Sequence, residues 1–120
     1  MYELSCHQLL KLHKSPHIAV LLNLHPEHLD YYKNFEKYKA AKARITLFQK
    51  SSDYFIYRSS DQNVTEIANQ TKAAVVPFQI DRPQINGCFI EDNKIIFAQK
   101  GKKEIIMPVT EIPLPGRFNI

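Results

Sequence analysis

Three short apolar runs, "PHIAVLLNL", "DYFIYR" and "AAVVPFQI", are separated by two stretches with helical spacing. Nothing else in the sequence constrains the fold as strongly as this alternation. Short runs rich in Val, Ile, Leu and aromatic residues read as strands, and a run apolar at almost every position reads as a buried one. Pro16 opens the first run, which predicts a buried strand over about Ile18 to Asn23. Asn34 then stands as N-cap of a helix running to about Phe48, and Asp61 caps a shorter helix in "DQNVTEIANQ". Strand–helix–strand–helix–strand predicts an α/β fold, a partial Rossmann-like parallel sheet with flanking helices.

The remainder changes character. "GCFIEDNKIIFAQKGKKEIIMPV" holds three apolar runs separated by "EDN" and "KGKK". It predicts a small C-terminal antiparallel β meander, with Gly87 and Gly101 at turns. At the other end, "YEL" reads as the end of a strand, and the closing "LPGRFNI" resembles the entry to a further helix. Both ends are expected to be cuts within a larger domain.

Composition narrows the function classes. The 120 residues suffice for one core. The net charge is +4, and the lysines are scattered apart from the cluster between Lys100 and Lys103. No arginine-rich or aromatic-interleaved stripe marks a nucleic-acid groove, so no nucleic-acid partner is expected. No apolar run approaches the ~20 residues that span a bilayer, and "MYELSCHQLLKLHK" lacks the pattern of a secretory signal. Two distant cysteines, Cys6 and Cys88, fit a reducing cytoplasm. No membrane association is expected.

One lysine breaks the helical pattern. At about 100° per residue, Phe35, Tyr38, Ala41, Ile45 and Phe48 form one stripe, and Lys42 falls inside it. Lys33, Glu36, Lys37 and Arg44 fall outside. Lys42 either lies at the stripe's edge with its ammonium in water or enters a functional pocket where burial favours the neutral amine. All five histidines, His7, His13, His17, His25 and His28, lie near the N-terminus. His25 and His28 follow the first strand directly, at the carboxyl end where α/β proteins place ligands. Their HxxH spacing is a weak metal signal, because Pro26 opposes a helix that would put both rings on one face. Glu3 would open onto the same rim, or it would simply offset a helix dipole.

Taken together, "YELSCHQL", "LLNLHPEHLDYYKNFEKYKAAKARI" and "LPGRFNI" resemble the central ATPase domain of the Mur ligases. These enzymes use ATP to add amino acids to the peptidoglycan precursor. The motifs lie in the family's order and span the chain. Within the family, "ELS-x-x-QL" and the compact stretch from His28 to Gly116 look most like the member that joins D-glutamate to UDP-N-acetylmuramoyl-L-alanine. His7 and "GRFN" look more like the member that adds the third residue, diaminopimelate or lysine.

The resemblance implies roles. Glu3 corresponds to a ligand of the magnesium ion that bridges the ATP phosphates. His28 corresponds to a histidine associated with a second magnesium ion. Lys42 corresponds to a lysine carbamylated by carbon dioxide, whose new oxygens suit magnesium. Ser5 corresponds to a serine near the muramoyl substrate, and Asn119 to a residue near the nucleotide. The implied cofactors are ATP and Mg2+, and the implied partners are UDP-N-acetylmuramoyl-L-alanine and D-glutamate. The chain departs from the family pattern at Cys6, where serine is common, at Glu27 for aspartate, at Tyr31 for arginine and at Phe118 for histidine.

No G-x-x-x-x-G-K-[ST] occurs, and the glycines are Gly87, Gly101 and Gly116. A triphosphate-cradling loop is therefore missing from these residues. Residues 1–120 are thus expected to be a single partial domain, lacking an upstream P-loop and UDP-binding domain and a downstream C-terminal domain, and inactive alone. The competing expectation is a stand-alone binding module that keeps the scaffold without the catalysis.

Overall fold

The parallel part of the predicted fold occupies the first of two units, Met1–Val75. The computed structural model describes residues 1–25 and 35–113. In chain order, this unit holds α1 (Cys6–Leu10), β1 (Ile18–Leu21), α2 (Phe35–Leu47), β2 (Tyr54–Arg58), α3 (Gln62–Ala68) and the start of β3 (Ala74–Phe78). β1 and β2 run parallel, in register from Ile18 opposite Tyr54 to Leu21 opposite Tyr57. β3 lies next to β2 in the strand order.

The core explains why the helices sit where they do. Ala19 and Leu21 of β1 and Phe55 of β2 join Cys6 of α1, Tyr38 and Ala41 of α2, and Val64, Ile67 and Ala68 of α3 in one buried cluster. All three helices therefore cover the same face of the strands. The expectation of a buried first strand holds for one of its faces only. Its burial alternates, and Ile18 and Val20 on the other face are 55% and 46% exposed. An apolar run signals that both faces dislike water, but it does not supply the element that covers the second.

The N-terminus is also corrected. Residues 1–5 form no strand. Ser5 instead caps α1 in a reciprocal capping box: Gln8 N–H donates to Ser5 Oγ, and Ser5 N–H donates to Gln8 Oε1 at 2.8 Å. The S-x-x-Q spacing that specifies this arrangement is present in the sequence.

The second unit, Val76–Ile120, carries the meander. β4 (Gly87–Glu91), β5 (Lys94–Gln99) and β6 (Lys102–Pro108) pair antiparallel, and Phe78 at the end of β3 pairs parallel with Cys88. Both hairpins close with two-residue loops. Asp92 and Asn93 have φ of 48° and 58°, and Lys100 and Gly101 have 51° and 77°. Positive φ at both positions is the requirement of a type I′ turn, whose twist suits the flanking strands. Gly101 is thus a turn glycine as expected, whereas Gly87 is not. Gly87 begins β4 with φ +126°, and a Cβ there would lie 1.9 Å from the carbonyl oxygen of Pro77. Close backbone approach, not turning, is what requires glycine at this position.

No helix among the described residues is long and apolar enough to cross a membrane. Asn34, His28 and "LPGRFNI" lie outside the described residues.

Candidate functional site

Lys42 is placed by the spacing of α2. Tyr38 and Ala41 are buried, Phe35, Ala43 and Ile45 pack partly buried against the core, and Lys42 is half-buried beside them. Its Nζ lies 6.0 Å from the centroid of the Tyr38 ring, within cation–π range. The predicted stripe holds at four of its five positions. Phe48 leaves it, because α2 ends at Leu47 and Phe48 turns outward into solvent.

The segment before α1 carries the other two described candidates. Glu3 is exposed. Ser5 is exposed as well, and its hydroxyl is engaged at the α1 N-terminus by Gln8 N–H. α1 packs directly on α2. The structure therefore brings the Glu3–Ser5 segment and the Lys42 helix onto one docked pair of elements. His28, expected to join them, lies outside the described residues, as does Asn119. Among the described residues no group of three His, Cys, Asp or Glu side chains converges as a metal site would require.

Three residues take a part in this arrangement that sequence reasoning did not give them. Arg44, placed outside the apolar stripe, is half-buried and reaches α1: its Nε donates to Leu9 O at 3.1 Å and its Nη2 to Leu12 O at 2.6 Å. Asp61 does more than cap α3. One carboxylate oxygen accepts from Val64 N–H at 3.1 Å, and the other accepts from Leu24 N–H at 2.9 Å. It thereby holds the buried Leu24, and with it the chain leaving the carboxyl end of β1 toward His25. Lys39, 15% exposed, pairs with Glu66 and joins α2 to α3. The Lys39 hydrogen bond, helped by Gln62, holds the Glu66 carboxyl below the usual carboxylate range. For Asp61 the cap pattern was visible, but its second bond joins residues 37 positions apart. Such pairs leave no local signal.

The opposite, amino-terminal end of the strands has its own polar contact. His17 Nδ1 lies 2.8 Å from Asp53 Oδ1, and Lys50 N–H donates to Asp53 Oδ2 at 2.7 Å. The Lys50 N–H and then His17 hold the Asp53 carboxyl below its ordinary range.

An α/β unit of this order, with a lysine-bearing helix docked on a glutamate-bearing N-terminal segment, meets a clear match among known families. Residues 1–120 match the Mur ligase middle domain, and the chain belongs to that family. It is 39% identical over 119 residues to the UDP-N-acetylmuramoylalanine–D-glutamate ligase of Bacillus velezensis, covering 98% of this chain and 26% of that protein. The enzyme of the same description from Christiangramia forsetii is 40% identical over 121 residues, covering 98% of this chain and 27% of the relative. Among solved structures, E. coli FolC in complex with DHPP and ADP superposes with a TM-score of 0.50 at 17% identity, over 86% of this chain and 23% of that one. That likeness concerns the fold. The chain spans about a quarter of the length of the curated relatives it matches.

Proposed function

We propose that these residues form the metal-site side of the central domain of an ATP-dependent ligase that joins D-glutamate to UDP-N-acetylmuramoyl-L-alanine in the cytoplasm. The observation that carries this reading is the match along the whole chain to relatives described as D-glutamate ligases, at 36–40% identity. It favours D-glutamate over diaminopimelate or lysine as the added residue.

The donor chemistry suits magnesium. Mg2+ takes oxygen ligands and is commonly held by one or two carboxylates together with substrate phosphates. Glu3 offers an exposed carboxylate. Lys42 as an amine offers no oxygen, but as a carbamate it offers two, and it also loses its positive charge. Glu3, the Lys42 carbamate and His28 would hold or support the ions. When bound, magnesium would offset the negative charge developing on the phosphoryl group. The half-buried position of Lys42 against Tyr38 restrains its stem, so that the carbamate is presented in a limited range of directions.

In this reading the muramoyl substrate's carboxylate attacks the γ-phosphate of ATP, giving an acyl phosphate and ADP. The amine of D-glutamate then displaces phosphate to form the amide. The family resemblance assigns Ser5 to the muramoyl substrate and Asn119 to the nucleotide. The chain covers about a quarter of the length of its relatives, and turnover is assigned to a ligase of their full length.

The test is phosphate release by the intact ligase with UDP-N-acetylmuramoyl-L-alanine and either D-glutamate, diaminopimelate or lysine. Release with D-glutamate alone is expected. Glu3→Gln, His28→Ala and Lys42→Arg should each lower kcat roughly 10²–10³-fold, because each would weaken the hold on the magnesium that offsets the developing charge, whereas His25→Ala should be nearly silent. Carbon-13 NMR in labelled bicarbonate should show a carbamate signal that Lys42→Arg removes. Full activity of Lys42→Arg would refute the carbamate assignment.

A further inference from the structure

We propose that Arg44 is a positioning residue for this site, locking the Glu3–Ser5 segment onto the helix that carries Lys42; the inference rests on the ligase reading above. α1 has only five residues, far fewer than a helix needs to persist by itself in water. The turn that closes it is bonded by its own backbone, Lys11 N–H to Gln8 O and Leu12 N–H to Leu9 O, both at 3.1 Å. Arg44 fastens that turn to α2: Nε–H donates to Leu9 O, and Nη2 donates to Leu12 O just beyond the helix. A guanidinium can serve two carbonyls at once because its donors are fixed in a planar fork, which an ammonium lacks.

The clamp is closed from the other side. Ser15 Oγ–H donates to Arg44 O at 3.3 Å, and Ser15 Oγ accepts from Phe48 N–H at 3.0 Å. The Arg44 guanidinium also lies 5.6 Å from the Phe48 ring centroid. The chain from Leu9 to Ser15 is therefore fastened at two points to the last turn of α2. At the front of α1, the capping box and the buried Cys6 and Leu9 carry that restraint forward to Ser5, two residues from Glu3. Arg44 itself is two residues from Lys42. Loosening it would leave the core cluster, Cys6 included, in place and would free the end of α1 that Arg44 fastens, loosening the Glu3 side of the site.

The experiment compares wild-type intact ligase with Arg44→Lys and Arg44→Met. Without magnesium, hydrogen–deuterium exchange of the peptide spanning residues 5–12 should accelerate in both variants, while peptides from α3 and β2 stay as protected as in the wild type. In assays, the magnesium concentration giving half activation should rise roughly 10–100-fold, the range for residues that orient metal ligands. The KM for D-glutamate should not change, and Arg44→Lys should fall between wild type and Arg44→Met. Faster exchange with an unchanged magnesium requirement would make Arg44 purely structural and overturn the proposal. Unchanged exchange would overturn it too. Full activity of Glu3→Gln and Lys42→Arg would overturn the ligase-site reading and this inference with it, whereas defects in those two variants with wild-type behaviour of both Arg44 variants would overturn the inference alone.

Discussion

In the first unit a buried cluster joins α1, α2 and α3 to β1 and β2, whereas in the second the buried cluster is Phe89, Ile96 and Ala98. The first unit depends on bonds between distant residues: Arg44 to Leu9 and Leu12, Asp61 to Leu24, Lys39 to Glu66. The second depends mostly on nearer contacts: two tight hairpin loops, the pairing of consecutive strands, and an ion pair from β6 to β4, Lys103 with Glu91. The segments that carry the proposed site residues Glu3, Ser5 and Lys42 belong to the first. A ligand site built from separate elements needs long-range ties, because no local interaction fixes the distance between them. A meander needs only correct turns and register.

Substitutions can break this contrast, and the core gives the largest effect. Phe55 is 0% exposed, and Phe55→Ala should lower the stability of the chain by roughly 3–5 kcal/mol in urea unfolding. Amide exchange should rise across Ile18–Ala68 and stay low in β4 and β5; an equal rise in both units would make them one cooperative structure. Gly87→Ala comes next. The new Cβ meets a backbone oxygen that cannot rotate away, at a φ that L-residues avoid, so a loss of about 2–4 kcal/mol is expected. Gly101→Ala sharpens the point. Its φ is +77° but nothing lies within 4 Å of the added Cβ, so only the backbone preference is lost, about 1 kcal/mol.

The smallest effect is a pH dependence in the first unit. The Asp53 carboxyl is held below its ordinary value of 3.8 by the Lys50 N–H and then by His17. A depressed folded-state value means that the unfolded chain binds the proton more readily. The contribution is therefore present above pH 3.8 and is lost as the pH falls through the folded value. Asp53→Asn should flatten the acid limb of a stability–pH profile slightly. An acid limb identical to that of the wild type would show that the contact contributes nothing.

Much of the architecture was legible because its signals are local. Apolar runs located β1, β2 and β3, Asp61 announced α3, and "EDN" and "KG" announced the two hairpins. α1 was missed: "YEL" was read as a strand, and the capping signal of Ser5 and Gln8 three residues apart was passed over. The register of α2 placed Lys42 among apolar residues, and the structure finds it half-buried there. Helical phase put Arg44 outside the stripe, where it is, but its contacts with α1 were not legible, for a physical reason. Helical phase says which residues turn from the main core, but not what a second element brings to that other side.

The sequence by itself determined the order of elements from β1 onward, the Asp61 cap, the hairpin turns and the family, since each is written in residues that are neighbours along the chain. Only the tertiary structure decided that the three helices share one face of β1 and β2, that Gly87 makes room for the Pro77 carbonyl, and that Arg44 clasps the end of α1. Those facts depend on backbone groups distant in sequence, and every residue's backbone carries the same N–H and C=O, so the sequence cannot say which carbonyl a guanidinium will find.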